Sequence, residues 1–283
     1  MRSVLQAAAG NTAPLDELIL QGSVSPQGSQ ALERALRAAA AGGFAVPLAQ
    51  LLSQDNVAVD ARSDDGWTAL MGAAQGGHLS SIEMLLQNQA AVDVRNERGF
   101  TPLMLSVMGG HANVVKVLLT AGAAVNARND MDGGHTVLMY AAQYSGRGRP
   151  DESARSLLDA KAAVAEKTEY GWTALLFAAQ SGAKEVVEML LDVNDKDDTG
   201  DRVNEEKNVR GETALMWAAR KGHATVVDTL LRRGATVLTP ADNTGKNAPA
   251  HAAECEDKIR ALGIARQLND PELARRCARV QGW

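Results

Sequence analysis

Apolar residues recur along the chain in pairs of short runs, and each run has the spacing of one helix face. In one such stretch the first run places Leu215, Ala218 and Ala219 at positions i, i+3 and i+4, and the second run ends in Leu230 and Leu231. This spacing predicts an amphipathic helix for each run. Because the first run is rich in alanine, its helix can approach its neighbours closely. We therefore expect pairs of short, closely packed helices.

The same pair of runs returns along the chain at a nearly constant period. Five stretches begin with Gly, a variable residue and Thr, continue with a pair of mostly small residues, and close with two leucines. Their threonines are Thr68, Thr101, Thr136, Thr173 and Thr213. Weaker copies place equivalent residues at positions 2, 34 and 247, so the eight positions lie 32, 34, 33, 35, 37, 40 and 34 residues apart. Such regularity predicts an array of stacked supersecondary units.

Polar and small residues mark the ends of the predicted helices. The Thr at each start can accept a hydrogen bond from a free amide of the first turn, which contributes about 1 kcal/mol. Pro102 fits the first helical position, where its missing N–H does no harm. Gly77, Gly110 and Gly222, each followed by His, are expected to end the first helix in a left-handed conformation. A single helix pair cannot bury its apolar face, so successive units must share one core.

The phrase Gly-x-Thr-[Ala/Pro]-Leu-Met, followed by two small residues, Gly-His and two leucines, resembles the ankyrin repeat. The resemblance covers about residues 1–262 and implies an all-α solenoid of stacked helix-turn-helix units with β-hairpin fingers. The family's usual Thr-Pro-Leu-His phrase is altered, because Met or Leu replaces its His. The replacing residues are Met71, Met104, Met139, Leu176 and Met216. We therefore expect a thinner polar network than is usual in the family.

The quality of the repeats divides the array of residues 1–262 into three parts. Degenerate N-terminal units cover residues 1–58, units with the full signature cover residues 59–238, and a degenerate last unit covers residues 239–262. Residues 263–283 are predicted to add a C-terminal capping helix.

Departures from the period locate three insertions, at residues 129–133, 147–150 and 192–210. Insertions in repeat arrays map to loops. Tolerated surface drift and a functional role are both compatible with these insertions.

Composition narrows the class of partner. The formal charge of −5 and the pI of about 5.6 argue against a nucleic-acid surface, which needs clustered Lys and Arg. No apolar run is long enough for a membrane helix or a signal-peptide core. The two cysteines, Cys255 and Cys277, form neither a disulfide framework nor a zinc ligand set. We expect a monomer in the cytoplasm, with the nucleus as an alternative.

Sequence motifs for catalysis are absent. The chain contains no Gly-rich phosphate loop ending in Gly-Lys-Ser/Thr, no Gly-x-Ser-x-Gly and no His-Glu-x-x-His. His78, His111 and His223 occupy the same position in the helix–helix turns, so we interpret them as repeat-signature residues rather than metal ligands. We therefore expect no enzyme activity and no cofactor.

The few aromatic residues, 4% of the chain, fall mainly on two rows outside the predicted core. One row immediately precedes the capping threonines, and the other lies opposite the packed face of the first helix. In proteins of the family that the repeats resemble, both rows line the concave surface. The candidate partner-binding residues are Trp67, Phe100, His135, Tyr140, Tyr170, Trp172, Phe177 and Trp217, with the basic Arg62, Arg95, Arg98, Arg128 and Lys167 beside them. Rigid aromatics flanked by Arg are typical anchors of protein interfaces. The row before the capping threonines could instead pack one finger against the next.

These observations support two hypotheses of function. The first is a protein-interaction module or scaffold that binds a partner with acidic and apolar groups on its concave surface. The alternative is a calcium-responsive regulatory subunit that uses the long acidic finger 192–210. In that finger Asp195, Asp197, Thr199 and Glu206 approximate the spacing of a calcium loop. However, Thr stands at the fifth position and Arg202 at the eighth, so we favour a solvated acidic finger and expect no bound metal. A purely structural spacer is a third possibility.

Overall fold

The computed structural model describes residue 6 and residues 13–22, 26–145, 152–194, 202–238, 241–254 and 258–271. The described part of the chain is mostly helical, which confirms the all-α prediction. The chain divides into two compact units, residues 1–132 (unit 1) and residues 133–283 (unit 2), and each is described by itself.

Unit 1 consists of helix pairs followed by a short strand. Its elements are α1 (Ala13–Gly22), α2 (Pro26–Ala41), α3 (Ala45–Leu52), α4 (Ala69–Gly76), α5 (Leu79–Gln87), α6 (Pro102–Gly109), α7 (Ala112–Thr120), β1 (Arg128–Asn129) and a 3₁₀ turn (Asp130–Asp132). The first helices α2, α4 and α6 pack side by side, and each also packs on its own second helix, α3, α5 or α7. The fully buried Leu70, Leu85, Leu103 and Leu118 lie in the core between these two layers.

Unit 2 repeats the same two-layer arrangement. Its elements are β2 (His135–Thr136), α8 (Val137–Tyr144), α9 (Glu152–Asp159), α10 (Ala174–Ser181), α11 (Lys184–Asn194), α12 (Arg202–Glu205), α13 (Ala214–Lys221), α14 (Ala224–Arg232), α15 (Ala248–Ala253) and α16 (Lys258–Gln267). The first helices α8, α10, α13 and α15 pack in order along the unit. The second helices α9, α11, α14 and α16 form the other layer, and the short α12 belongs to the long finger.

The ends of the helices follow the predicted chemistry. The side chains of Thr68, Thr101, Thr136, Thr173 and Thr213 each accept a hydrogen bond from the amide three residues later. Gly77, Gly110 and Gly222 end their helices with φ of 72°, 79° and 77°. Both predictions are confirmed.

The histidines after these glycines tie each repeat to the one before it. In unit 1, Nε2 of His78 lies 3.0 Å from the carbonyl oxygen of Ala41, and Nε2 of His111 lies 2.9 Å from that of Gln75. In unit 2, His223 approaches the carbonyl of Gln180 at 3.0 Å in the same way. Because a carbonyl only accepts, Nε2 must carry the proton in each case. These histidines therefore act as hydrogen-bond donors within the stack.

The C-terminal part of the chain differs in detail from the predicted division. Helix α16 runs from Lys258 to Gln267, across the boundary drawn at residue 262. Residues 272–283, which make up most of the predicted capping helix, lie outside the described residues. The insertion 147–150 also lies outside them, whereas the insertion 129–133 forms the end of β1 and the 3₁₀ turn.

Candidate interaction surface

The predicted fingers are tight turns closed by backbone hydrogen bonds. The amide of Asn96 donates to the carbonyl of Phe100 at 3.1 Å, and the amide of Asn208 donates to that of Glu212 at 3.2 Å. The Asn96 side-chain oxygen also accepts from two amides of its own turn, each at 3.0 Å. Polar residues that bond their own backbone favour this kind of turn. Each finger is thus held in one conformation before any partner binds.

Neighbouring fingers are also bonded to each other within each unit. In unit 1 the amide of Glu97 donates to the carbonyl of Asp65 at 3.1 Å. In unit 2 the amide of Val209 donates to the carbonyl of Tyr170 at 3.0 Å, and that of Asn243 donates to Arg210 at 2.8 Å. The fingers of a unit therefore form a linked row rather than independent loops.

Two of the candidate basic residues form hydrogen bonds between neighbouring fingers of unit 1. Nη2 of Arg62 donates to the carbonyl of Arg95 at 2.7 Å, and Nη1 of Arg95 donates to the carbonyl of Arg128 at 2.6 Å. The guanidinium of Arg98 lies over the ring of Phe100, 5.6 Å from its centroid. Much of the positive charge that was expected to face a partner in unit 1 is therefore engaged within the protein.

The remaining basic candidates differ in their surroundings. Arg128 forms an ion pair with Asp130 at 3.2 Å, and Lys167 is exposed on a finger of unit 2.

Sequence reasoning missed a second set of bonds between repeats. The carboxylate of Asp60 accepts from the amide of Ala91 at 2.9 Å, and that of Asp93 accepts from Ala124 at 3.0 Å. In unit 2 the side-chain oxygen of Asn204 accepts from the amide of Thr236 at 2.8 Å. The signal in the sequence was a Val followed by Asp or Asn just before each of these fingers.

The two predicted aromatic rows merge into one in unit 2. The ring of His135 stacks on Tyr140 with centroids 5.2 Å apart and lies 4.9 Å from Phe177. The ring of Trp172 then lies 4.8 Å from Phe177 and 4.9 Å from Trp217. We call these five residues the aromatic row. Each ring supports the next at the separation preferred by aromatic pairs.

Burial corrects part of the expectation for these residues. Tyr140 is 1% exposed and Phe177 is 6% exposed, so the expectation that they lie outside the core is wrong. The helix face opposite the packed side was assumed to be open, but the rings of His135 and Trp172 cover it. Phe100 in unit 1 is also buried, beneath Arg98. What a partner can reach in the aromatic row is the half-buried set His135, Trp172 and Trp217.

Exposed apolar side chains stand at the tips of two linked fingers in unit 2. Tyr170 is 63% exposed and Val209 is 60% exposed. Tyr170 was a candidate binding residue, whereas Val209 was not. Trp67, another candidate, is half-buried and belongs to unit 1.

Arg220, at the end of α13, stands beside the aromatic row and joins it to a polar cluster. Its guanidinium lies over the ring of Trp217, 4.7 Å from the centroid. Nη1 lies 2.9 Å from Glu212, Nε lies 3.1 Å from Glu254, and Nη2 lies 2.5 Å from Nδ1 of His251. Sequence reasoning did not single out this residue.

His251 and Asp242, the buried members of the cluster, also form hydrogen bonds. Because Arg220 can only donate, Nδ1 of His251 must accept, and its Nε2–H donates to Asp242 at 2.9 Å. Burial alone raises the pKa of Asp242, but hydrogen bonds from Thr244, Lys246 and His251 outweigh it and lower the pKa to about 2. The carboxylate is therefore ionised at neutral pH.

Glu254, at the rim of this cluster, is held as an anion as well. The hydrogen bond from Lys246, at 2.6 Å, is the main cause of its lowered pKa, and the charge of Arg220 adds to it. Glu212 and Glu254 are thus paired with the cations of Arg220 and Lys246, whereas Asp242 is held by neutral donors.

Ligand atoms of Glu212, Asp242 and His251 lie within 4.8 Å of one another, which is the spacing of a metal site. The donor set does not fit a cation. Both nitrogens of His251 are engaged, and the guanidinium of Arg220 contacts Glu212 and His251. A metal ion would have to break these bonds against a fixed positive charge. We assign the cluster as an ion-pair network.

The calcium hypothesis can be compared with the structure at one residue. Asp195, Asp197 and Thr199 lie outside the described residues. Glu206 is 7% exposed, and its carboxylate accepts from the hydroxyl of Thr173 at 2.5 Å. This residue therefore packs within unit 2, on the N-terminal cap of α10.

Among the described residues, none of the helices combines the length and the apolar character needed to cross a bilayer.

Stacked helix pairs joined by linked fingers define a helical repeat protein. A family model of three consecutive ankyrin repeats matches residues 3–96, 36–129, 73–168 and 128–200, and a model of the single ankyrin repeat matches residues 210–242. Because these matches cover most of the chain, the chain belongs to the ankyrin repeat family.

A solved structure agrees with this assignment. The chain is similar to the crystal structure of the human ASB11 ankyrin repeat domain, at 27% sequence identity and a TM-score of 0.66. The match covers 81% of this chain and 96% of that one. A search of curated proteins finds no significant match. The predicted ankyrin-repeat solenoid is confirmed. Ankyrin repeats form a non-enzymatic fold that mediates protein–protein interaction.

Proposed function

We propose that this chain is a protein-interaction module whose partner docks on the aromatic row of unit 2. The observation that carries the proposal is the set of half-buried rings His135, Trp172 and Trp217, which rest on the buried rings of Tyr140 and Phe177. Aromatic residues, and Trp above all, dominate the energy of protein interfaces. Because the rings already support each other, a partner loses little free energy in ordering them.

The finger tips enlarge this surface. Tyr170 and Val209 are exposed apolar residues on fingers that are bonded to each other. A partner segment that covers the aromatic row and reaches the tips would bury both kinds of apolar surface. Such a segment needs several apolar side chains in sequence.

The basic residues on the fingers of unit 2 suggest that the partner carries acidic groups. Among the exposed Glu166, Glu169 and Glu205, the fingers of unit 2 also carry the basic residues Lys167, Lys207 and Arg210 near the apolar tips. Acidic groups on the partner would complement them and speed association. We therefore propose an apolar segment with acidic residues as the partner, in keeping with the interaction role of the family.

Selection from a displayed peptide library against the whole chain tests the proposal. We expect the selected peptides to be apolar and acidic. We also expect Trp172→Ala and Trp217→Ala each to weaken their binding by about 2 kcal/mol, close to thirtyfold in Kd. Tyr144→Ala, which truncates a half-buried aromatic of unit 2 outside the row, is the matched control.

Circular dichroism and thermal unfolding establish that the variants are folded. Peptides that bind all three variants with the Kd of the native chain would refute the proposed surface.

A further inference from the structure

Arg220 connects Trp217 of the aromatic row to three polar residues of unit 2. It contacts Trp217 on one side and, through three different nitrogens, Glu212, His251 and Glu254 on the other. A guanidinium is planar, so three bonds along its edges fix the orientation of the whole group. The plane that lies over the indole of Trp217 is therefore set by the three anchors.

The anchors come from different segments of unit 2. Glu212 precedes α13, whereas His251 and Glu254 belong to α15 and its C-cap. His251 is fully buried and is bonded in turn to Asp242, whose own turn residues Thr244 and Lys246 donate to it. A continuous chain of hydrogen bonds thus leads from the last finger to Arg220.

We propose that Arg220 is a positioning residue through which residues 242–254 of the last repeat orient the Trp172–Trp217 end of the aromatic row. The last repeat then shapes the docking surface without presenting residues to the partner. This inference rests on the proposed function, because the orientation of the row matters only if a partner docks on it. The orientation itself is a property of the free protein.

The coupling of the two indoles supplies the readout. Trp172 and Trp217 lie 4.9 Å apart with ring planes inclined by 50°, so their electronic transitions couple and give a far-ultraviolet circular dichroism couplet. The couplet depends on the mutual orientation of the rings. A residue that only fastened the last repeat to its neighbour would not alter it. Trp217→Phe defines the spectrum without the couplet.

The decisive variant is Arg220→Lys, which keeps the charge but cannot make three edge contacts. We expect it to lose most of the couplet while the amides of α15 stay protected from hydrogen exchange. The matched control is Arg232→Lys, since Arg232 forms an ion pair with Asp228 and its side chain is 73% exposed. The control should keep the full couplet. A full couplet in Arg220→Lys overturns the inference, whatever happens to α15.

A second variant is needed if the α15 amides lose their protection from hydrogen exchange in Arg220→Lys. Glu254→Ala removes one anchor at the rim and leaves the contacts of Arg220 with Glu212 and His251. A couplet smaller than that of Arg232→Lys, with α15 protected, supports the inference, and a couplet of equal size overturns it. Because no partner is present in these measurements, they can succeed even if the proposed peptide binding fails.

Discussion

The hydroxyl of Thr173 makes two bonds, and its replacement by Val removes both without changing the shape of the side chain. The hydroxyl accepts from the amide of Leu176 at 3.4 Å, as the N-cap of α10, and donates to the carboxylate of Glu206 at 2.5 Å. Among the described residues, the hydroxyl of Thr213 makes only the equivalent cap bond, with Met216 at 3.4 Å. The bonds of the two hydroxyls therefore differ in the carboxylate alone.

The expected losses follow from these contacts. Removing an N-cap costs about 1 kcal/mol of unfolding free energy. Leaving the buried carboxylate of Glu206 without this donor costs about 1–3 kcal/mol more. We expect Thr173→Val to destabilise unit 2 by about 2–4 kcal/mol and Thr213→Val by about 1 kcal/mol.

Urea unfolding followed by circular dichroism measures the two free energies. Hydrogen exchange of the α10 and α13 amides then assigns each loss to its own repeat, because stability in a repeat array is local. A difference between the variants below about 0.5 kcal/mol, the usual scatter for surface substitutions, would contradict the bond between Thr173 and Glu206. It would also make Glu206 available again as a candidate calcium ligand in the acidic finger.

Two further predictions concern the last repeat and the finger row. Asp242 has a pKa of about 2 in the folded chain against an ordinary 3.8, so its stabilising contribution is present above pH 3.8 and is lost as the pH falls towards 2. The protection of the α15 amides, measured against the intrinsic exchange rate at each pH, should fall over that interval, and Asp242→Asn should remove the part of this dependence that comes from Asp242. Gly171→Ala places a Cβ 3.0 Å from the amide nitrogen of Val209 at a φ of 74°, whereas Gly234→Ala, at a φ of 89°, meets nothing within 4 Å. Urea unfolding should show a loss of about 1–2 kcal/mol for the left-handed conformation in both variants. An additional loss is expected only in Gly171→Ala, and equal losses would argue against close finger contact.

The sequence predicted local features well because their causes are local. A Thr followed by an apolar run predicts a capped helix, and the caps are present at Thr136 and Thr213 as at the other repeats. The substitution of Met for His was expected to thin the polar network, with the Met side chain packing instead. Instead, the sulfur atoms of Met139 and Met216 lie 3.4 Å and 3.5 Å from the amides of their own capping threonines. The thioether thus acts as a weak acceptor, which a pattern of apolar residues does not reveal.

The candidate site was less predictable because burial depends on what covers a helix face. A helical wheel placed Tyr140 and Phe177 away from the packed side, but it could not show that rings from the fingers lie over them. The network around Arg220 was harder still, since its partners lie up to 34 residues away in the chain. His251 carries no repeat signature, so only folding brings it to Arg220.

The helix–helix turns of unit 2 indicate where the chain can be cut and rejoined when repeats are exchanged between proteins. A Cβ added to Gly182 would lie 2.7 Å from the imidazole of His223, which belongs to the following repeat and bonds back to Gln180. The glycine of one repeat is thus the space into which the next repeat's histidine fits. A repeat exchanged between chains at the usual sequence boundaries would separate these partners. The segment to transfer as one piece therefore runs from the glycine of one repeat to the histidine of the next repeat that packs against it. Chimaeras should be joined inside repeats rather than between them.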